Sequence, residues 1–338
     1  MLLFGPKKRR FAWLAAAIGL LSVVVSPWLQ GGFFDGWRVD LVRHFQLQAF
    51  FLLIWVALAT GRWRMKATLG LAALGLLASG AQLVPYWFGR ESVKAAGALR
   101  VTTLNVLYRN DRYADTIAHL RKLNSDVIYL CETGNQWQER LLGGLDGYPF
   151  RFVATSDNLD GALILSRLPI EAFWVDEKRY EGADADRIMT KGFPASLFSK
   201  PVLAIEVRRS GKRVLIAGTH PYPASNGRIF EETSATLRRL GKLADGFDGE
   251  VVVIGDFNAT PWSAMYRDAF SGTRLRNAAR GEGLQSTWFR YPRAPLPGLG
   301  LLIDHVMFSE GLEKVSYEVG EFVGSDHRSV TVEFALAD

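Results

Sequence analysis

The sequence predicts an α/β (α+β) protein in which β-sheets stack on each other and are covered by helices, preceded by a helical N-terminal region. Three observations support this fold class. Short runs rich in β-branched residues recur from residue 99 onward, helical segments separate some of them, and the first ninety residues hold long uncharged stretches instead. Many strands with few helices indicate sheets packed face to face, with helices outside.

Three uncharged, mostly apolar stretches near the N-terminus have the length of membrane-spanning helices. They cover residues 11–29, 44–61 and 67–89, and about 20 apolar residues cross a bilayer. Tryptophans near their ends suit the membrane interface. We therefore predict a membrane anchor over residues 1–90. Two alternatives stay open: the first stretch is a signal peptide, or the region is a soluble helical hairpin.

Basic residues set the expected orientation of this anchor. One cluster, Lys7–Arg10, precedes the first stretch, and a second, at residues 62–66, lies between the second and third. Because Lys and Arg stay on the cytoplasmic side, three spans place the domain after a linker at 91–97 on the periplasmic or extracellular side. If the second stretch is not a span, the domain lies in the cytoplasm instead.

The charge distribution gives no support to a basic, nucleic-acid-binding domain. The formal net charge is +6, but residues 1–66 hold nine basic and two acidic residues, so the remaining 272 residues carry −1. The excess of positive charge therefore lies in the N-terminal region. The single cysteine, Cys131, excludes an intrachain disulfide and follows an apolar run, which predicts a buried core residue.

Strand and helix patterns alternate over the predicted domain, residues 98–338. The β-branched and apolar runs predict strands at 99–106, 126–131, 149–154, 161–166, 201–208, 213–219, 251–255, 302–308 and 329–335. Apolar residues at helical spacing predict helices over Asp111–Leu123, Arg228–Leu243 and Ser263–Phe270. Several of these strands end in polar or charged residues, which the packing of a buried core does not require.

Polar side chains lie at the ends of several predicted strands. The run Val251–Gly255 leads directly into Asp256 and Asn258, and buried polar groups are costly unless a partner satisfies them. The last predicted strand, if antiparallel, begins at the edge where its neighbours end. We therefore expect one shared rim to carry Asn105, Glu132, His220, Asp256, Asn258, Asp304, Asp326 and His327. His305 lies in the same strand, but as the neighbour of Asp304 it is expected to face the opposite side and to pack there.

This set of side chains is suited to phosphoester chemistry. Carboxylate and amide oxygens favour a hard divalent ion such as Mg²⁺ or Mn²⁺ over zinc. A phosphodiester carries negative oxygens that a metal, histidines and amide donors stabilise, and a carboxylate orients or deprotonates an attacking water. The rim predicts metal-assisted phosphoester hydrolysis.

Six short motifs that contain these residues occur in the order seen in the endonuclease/exonuclease/phosphatase superfamily, the deoxyribonuclease-like group that residues 98–338 resemble. They are Thr103-Leu104-Asn105-Val106, Leu130-Cys131-Glu132, Gly218-Thr219-His220, Gly255-Asp256-Phe257-Asn258, Ile303-Asp304-His305-Val306 and Gly324-Ser325-Asp326-His327. The resemblance implies a four-layer α/β/β/α sandwich of two packed mixed sheets.

The resemblance also implies how a metal is held. Glu132, helped by Asn105, would bind Mg²⁺ or Mn²⁺, and Asp326 would touch the ion directly or through water. Whether one or two metal ions are used is left open.

Catalytic roles follow from the same resemblance. Asp256 would position and activate water, and Asn258 would hydrogen-bond the phosphate. His327, oriented by Asp304, would stabilise the transition state, and His220 would supply a second phosphate contact. Which group is the general base is left open.

The expected function is a membrane-anchored, Mg²⁺-dependent phosphoester hydrolase that cleaves phosphodiester bonds by attack of water. Nucleic acid is the first expected substrate, and the alternative is the headgroup of a phospholipid in the bilayer. Leu302–His305 departs from inositol-polyphosphate phosphatases, and His305 departs from abasic-site endonucleases, whereas His220 is closer to secreted deoxyribonucleases and sphingomyelinases. A non-catalytic, membrane-tethered binding protein is a further alternative, and no protein partner is inferred.

Overall fold

The computed structural model describes residues 36–62, 66–89, 99–154, 161–181, 200–290 and 300–336. Within these ranges two mixed β-sheets stack face to face, and helices cover both outer faces. The predicted α/β class and the sandwich of two mixed sheets are confirmed.

The described residues form seven helices and thirteen strands. The helices are α1 (Trp37–Arg43), α2 (Gln46–Arg62), α3 (Lys66–Trp87), α4 (Tyr113–Leu123), α5 (Asn135–Gly144), α6 (Gly227–Gly246) and α7 (Ala264–Phe270). The strands are β1 (Leu99–Asn105), β2 (Val127–Cys131), β3 (Phe150–Ala154), β4 (Ala162–Ser166), β5 (Ile170–Val175), β6 (Lys178–Tyr180), β7 (Leu203–Arg209), β8 (Lys212–Gly218), β9 (Glu250–Asp256), β10 (Arg276–Asn277), β11 (Asp304–Phe308), β12 (Leu312–Val319) and β13 (Val330–Leu336).

The two sheets divide the strands between them. The first has the order β12-β13-β1-β2-β4-β3, and the second has the order β10-β11-β9-β8-β7-β5-β6. The last strand, β13, runs antiparallel to β1, as expected. Both sheets are mostly antiparallel, but β1–β2 and β8–β9 are parallel pairs, and a crossover helix joins the strands of each parallel pair.

Three apolar layers hold the sandwich together. Side chains such as Tyr129 and Phe334 fill the space between the sheets, together with the buried Cys131. Helices α4 and α5 cover the first sheet through side chains such as Trp137, and helices α6 and α7 cover the second through side chains such as Leu237. Burial of these side chains contributes about 1.5–3 kcal/mol each, which makes the sandwich a rigid base for the strand ends.

Several elements were not expected from the sequence. Strands β5, β6, β10 and β12 and helices α1 and α5 fall outside the predicted segments. Strand β12 is an edge strand whose middle positions are only half buried, so polar residues interrupt its apolar run. An edge strand pairs on one side only and is half exposed, and its sequence therefore carries a weak signal.

The predicted membrane spans are only partly within the described residues. Stretch 11–29 and the linker at 91–97 lie outside them, whereas 44–61 and 67–89 correspond to helices α2 and α3. Over the ranges that the structure describes, no helix combines the length and the apolar character that crossing a membrane requires. The structure gives no support to membrane spans over 44–61 and 67–89.

Helices α2 and α3 instead pack on each other and on the sandwich. Leu83 and Tyr86 of α3 are buried against Trp262 and Leu302, and the Tyr86 and Trp262 rings meet edge to face at 6.1 Å. The backbone N–H of Gly283 also donates to the carbonyl of Tyr86 at 2.7 Å. Polar and apolar contacts thus join the end of α3 to the sandwich.

Candidate active site

Strand pairing in the second sheet brings three predicted residues together. Strand β11 is antiparallel to β9, so Asp304 at its start lies directly opposite Asp256 at the end of β9. Strand β8 is parallel to β9 and ends beside it. His220, two residues beyond β8, therefore reaches the same rim, with its Nε2 3.5 Å from Asp256 Oδ2.

The first sheet supplies the other half of the rim. Strands β1 and β2 are parallel, with Asn105 opposite Cys131, so Glu132 follows on the same edge. The amide Nδ2 of Asn105 donates to Glu132 Oε1 at 2.9 Å and to Asp256 Oδ2 at 3.1 Å. Asn105 therefore joins the two sheets through their carboxylates, at the point where the sequence predicts a site.

His327 lies between two carboxylates just before β13. Its Nδ1 is 2.9 Å from Asp304 Oδ2, and its Nε2 is 3.6 Å from Asp256 Oδ2. Burial alone lowers the pKa of His327, but Asp304 and Asp256 outweigh burial and raise it to about 10. His327 is therefore an imidazolium at neutral pH, with Nε2–H available to a negative oxygen.

His220, in contrast to His327, favours the neutral form. Burial lowers the pKa of His220 well below its usual value, and the positive charges of Lys200 and His327 lower it further. Its Nδ1 is buried and finds no hydrogen-bond partner among the described residues. Two histidines whose pKa values are pushed apart in one pocket point to different roles in proton transfer.

Asp256 combines burial with a fixed orientation. Burial raises its pKa, Asp304 raises it further, and His327 lowers it, with the result that the pKa of Asp256 is about 7. Its Oδ1 accepts the backbone N–H of Asn258 at 2.9 Å, and its side chain is 1% exposed. A carboxyl group that titrates near neutrality is suited to accept a proton from water.

Unusual backbone conformations hold the rim residues in place. Glu132 and Asn258 have φ angles of 58° and 49°, in the left-handed region that non-glycine residues rarely adopt. Gly255 has φ 137°, and a Cβ there would lie 2.3 Å from the carbonyl oxygen of Thr219. The rest of the fold must stabilise these conformations, which are frequent at functional sites.

Asn258 lines the cavity, and its side chain is held by a hydrogen bond to the backbone. Its Nδ2 donates to the carbonyl of Pro221 at 2.9 Å, which leaves one amide hydrogen for another acceptor. Asp326 lies at the edge of the same cavity, with its Oδ1 4.0 Å from His327 Nε2. Six of the eight predicted catalytic and metal-binding residues therefore line one pocket, and the other two, Asn105 and Asp304, are hydrogen-bonded directly to them.

Three supporting residues were missed by sequence reasoning. The hydroxyl of Ser325 donates to the carbonyl of Asn105 at 2.7 Å and accepts the backbone N–H of His327 at 3.0 Å. The indole N–H of Trp288 donates to Asp326 at 3.0 Å, and the hydroxyl of Thr287 accepts the backbone N–H of Asp304 at 3.0 Å. Only Ser325, inside the Gly-Ser-Asp-His motif, carried a signal that could have identified it.

His305 lies on the other side of its strand. Its Nε2 is 2.8 Å from the carbonyl oxygen of Ala259, and its Nδ1 is 3.1 Å from Asn277 Nδ2. Because the Asn277 amide donates, Nδ1 accepts, and the proton is on Nε2. Burial lowers the pKa of His305 to about 4. It is a neutral, structural histidine that positions the chain next to Asn258.

The oxygen-rich rim fits a hard divalent cation. Ligand atoms of Asp256, Asp304 and His327 lie within 4.8 Å of one another, although Nδ1 of His327 is already occupied by Asp304 at 2.9 Å. The carboxylates of Glu132 and Asp326 and the amide oxygen of Asn105 offer oxygen donors of the kind that Mg²⁺ or Mn²⁺ prefers. That these three residues hold the ion remains a prediction.

These polar groups form the floor of a cavity of about 490 Å³. Its upper lining is largely apolar and includes Leu107, Trp288, Leu301 and Ile303, together with Leu41, His44 and Phe45. Among the described residues that line it, none is Lys or Arg. The cavity thus combines an anionic and histidine-rich floor with an apolar wall.

Several solved structures share this fold. An endonuclease/exonuclease/phosphatase from Bacteroides vulgatus matches with a TM-score of 0.56 at 17% identity, over 70% of this chain and 98% of that one. A mannosyl-6-phosphatase from Bacteroides thetaiotaomicron matches with a TM-score of 0.53 at 18% identity, over 71% and 100%. TDP2 of D. rerio complexed with a single-strand DNA product matches with a TM-score of 0.54 at 15% identity, over 70% and 98%.

At these identities the solved structures establish the fold. No curated protein matches the chain. Residues 102–327, well over half of the chain, match the model of the endonuclease/exonuclease/phosphatase family, which confirms the resemblance inferred from six motifs. The chain belongs to the endonuclease/exonuclease/phosphatase family and has its metal-dependent phosphoesterase fold.

Proposed function

We propose that the protein hydrolyses a phosphodiester by attack of water, with the help of a divalent metal ion. One observation carries this proposal. A carboxyl group with a pKa of about 7, Asp256, and a histidine with a pKa of about 10, His327, lie 3.6 Å apart in one pocket. At neutral pH the first accepts a proton and the second donates one, which is what ester hydrolysis needs.

The residues support a balanced reaction. The water oxygen forms a bond to phosphorus while its proton moves to Asp256. The bond from phosphorus to the leaving oxygen breaks, and His327 donates the proton that this oxygen needs. The proton on Asp256 then returns to His327 across the 3.6 Å between them. The products are a phosphomonoester and an alcohol.

Other residues hold the phosphate and orient these two groups. Asp304, which bonds Nδ1 of His327, fixes the imidazolium with Nε2–H towards the pocket, and Asn258 offers an amide hydrogen to a phosphate oxygen. Glu132 and Asn105 would hold Mg²⁺ or Mn²⁺. Such an ion supplies positive charge against the phosphate oxygens when bound.

Two substrate classes, nucleic acid and phospholipid headgroups, contain the phosphodiester that this reaction needs. A nuclease activity is supported by the likeness to TDP2, whose structure holds a single-strand DNA product. Against it, the described cavity lining holds no Lys or Arg, and cationic side chains supply most of the affinity of proteins for nucleic acid. The phospholipid headgroup proposed as the alternative is favoured by the apolar wall.

Attachment to a membrane, with the catalytic domain on its outer side, also remains a proposal. It is supported by the uncharged stretch at 11–29 and by the basic cluster Lys7–Arg10 that precedes it.

Removal of the donor imidazole tests the function. Purified protein is assayed with Mg²⁺ or Mn²⁺ on plasmid DNA, on phospholipid vesicles and on bis(p-nitrophenyl) phosphate. We expect His327→Gln to lower kcat/KM by about 10²–10⁴-fold. The matched control is His119→Gln, because His119 is a half-buried histidine that bonds Ser329 away from the pocket. Equal inactivity of wild type and His327→Gln on all three substrates would instead favour a non-catalytic binding protein.

A further inference from the structure

The outer wall of the catalytic cavity is built by a segment that precedes the family domain. Leu41 belongs to α1, and His44 and Phe45 follow it, yet all three line the cavity together with His220 and Asp256. The match to the family model begins only at residue 102. This chain therefore adds a side to the pocket that the family domain alone does not supply.

Buried polar contacts fix this segment to the domain. Asp40 accepts the backbone N–H of Ala264, at the start of α7. The Nδ1 of His44 accepts the backbone N–H of Thr260 at 3.2 Å and lies 3.1 Å from its hydroxyl. The indole of Trp262 donates to the carbonyl of His44 at 3.1 Å. These contacts span more than 210 residues of sequence, and they hold the wall beside the loop that carries Asn258.

The two large side chains on this wall are apolar and accessible. Leu41 and Phe45 are each 46% exposed, at the mouth of a cavity whose other upper residues include Leu107, Leu301 and Ile303. Apolar surface around a few convergent polar groups is typical of sites for small, partly apolar ligands. Here the polar groups are those that face the phosphorus centre.

A polyanionic chain fits this wall poorly. The phosphates that flank a scissile bond in nucleic acid need cationic or hydrogen-bonding partners. The described lining offers no Lys or Arg, and aliphatic side chains would leave the hydrogen-bonding edges of a base unpaired. A phosphodiester with a hydrocarbon group next to its phosphate matches the cavity better, because the phosphate can contact the polar floor while the hydrocarbon contacts the apolar wall.

We propose that Leu41 and Phe45 are specificity residues that bind the hydrocarbon part of an amphiphilic phosphodiester, a diacyl glycerophospholipid, while its phosphate sits at Asp256 and His327. The inference rests on the proposed function, because it names the substrate of the same site. Leu41 and Phe45 touch the substrate away from the reacting atoms, so their effect falls on discrimination between substrates.

The test compares substrates that share a phosphodiester and differ only in acyl chains. Dihexanoyl phosphatidylcholine, phosphatidylethanolamine and phosphatidylglycerol, below their micelle concentrations, are each paired with the deacylated glycerophosphodiester. With Mg²⁺ or Mn²⁺ we expect kcat/KM to be at least about tenfold higher for the acylated member of one pair. In the double variant Leu41→Ser, Phe45→Ser this ratio should fall by about tenfold.

Two variants control for general damage. Leu41→Met with Phe45→Leu keeps an apolar wall and should keep most of the ratio. Leu77→Ser removes an apolar side chain of α3 that is 72% exposed and does not line the cavity, and it should leave the ratio unchanged. A ratio near one in wild type, or a ratio that the serine variant does not alter, overturns the inference.

A measurement on wild type alone covers the case in which the serine variant does not fold. Inhibition of bis(p-nitrophenyl) phosphate hydrolysis by methyl, butyl and octyl phosphate should strengthen with chain length, and a flat series overturns the inference. Failure to hydrolyse any phosphodiester would overturn the proposed function itself. Hydrolysis of DNA or deacylated diesters in preference to the lipids would leave that function standing and overturn only the assignment of the substrate.

Discussion

The floor and the wall of the catalytic cavity differ in origin and in chemistry. The floor consists of polar side chains at the ends of strands, such as Asn105, Asp256 and His327, and the two stacked sheets hold it rigidly. One side of the wall, formed by Leu41, His44 and Phe45, comes from α1 and the residues after it, which dock through a few hydrogen bonds. The comparison teaches that the family fold supplies the reactive groups and part of the wall, whereas a segment outside it adds a further side that shapes what reaches those groups.

Removal of metal should have the largest effect, and it acts on the floor. We expect chelation with EDTA to reduce phosphodiester hydrolysis to background, and Mg²⁺ or Mn²⁺ to restore it. Because the ion binds the folded protein and not the unfolded chain, it should also raise the free energy of unfolding, by about 2.7 kcal/mol at a free ion concentration of 100 times Kd. Thermal unfolding with and without the ion measures this shift in a way that is independent of activity.

The matched variants separate the ligand from a surface carboxylate. Glu132→Gln should remove most of the stability gained from the ion, whereas Glu171→Gln should retain it, because Glu171 pairs with Arg208 on the surface. A metal-dependent shift of equal size in both variants would show that the ion binds elsewhere.

The ion pair in α1 should have an intermediate effect, and it acts on the wall. Arg43 is fully buried beside Asp40, with a nitrogen–oxygen distance of 3.9 Å. Asp40→Asn should lower the free energy of unfolding by about 2 kcal/mol, because the charged acceptor of the Ala264 N–H is replaced by a neutral amide beside the buried Arg43. The exposed pair of Asp115 with Arg112 is the comparison, and Asp115→Asn should cost less than about 1 kcal/mol.

Urea unfolding at neutral pH measures both variants. If Asp40→Asn is no more destabilising than Asp115→Asn, the docked position of α1 is wrong, and the wall with it.

The smallest expected effect is a change of the free energy of unfolding with pH, caused by His44 in the docked segment. Burial lowers the pKa of His44, and Asp40 raises it only in part. The folded protein therefore favours neutral His44, whereas the unfolded chain takes up a proton below about pH 6.5. The free energy of unfolding should fall as pH decreases from 6.5, by at most about 1.4 kcal/mol per pH unit from this group.

The His44→Asn variant keeps an acceptor but does not titrate in this range. Urea unfolding at pH 7.5 and 5.5 should show a smaller loss of stability for this variant than for wild type. Parallel losses would mean that His44 does not hold the segment through its neutral form.

The sequence predicts the floor much better than the wall. Apolar β-branched runs show where strands end, and parallel and antiparallel pairing then places Glu132 beside Asn105 and Asp304 beside Asp256. The wall lacks such a signal, because apolar residues from 44 onward are equally typical of a membrane anchor. Only tertiary contacts, such as His44 with Thr260, show that this segment belongs to the active site.

The most direct test of the division between floor and wall measures kcat/KM for one acylated substrate and its deacylated counterpart. Both are measured in wild type and in two variants. We predict that His327→Gln lowers both rates by a similar factor, of about 10²-fold or more, whereas Phe45→Ser lowers the acylated rate more than the deacylated one. A His327→Gln protein that retains full activity, or a Phe45→Ser protein that loses both activities equally, would contradict this account.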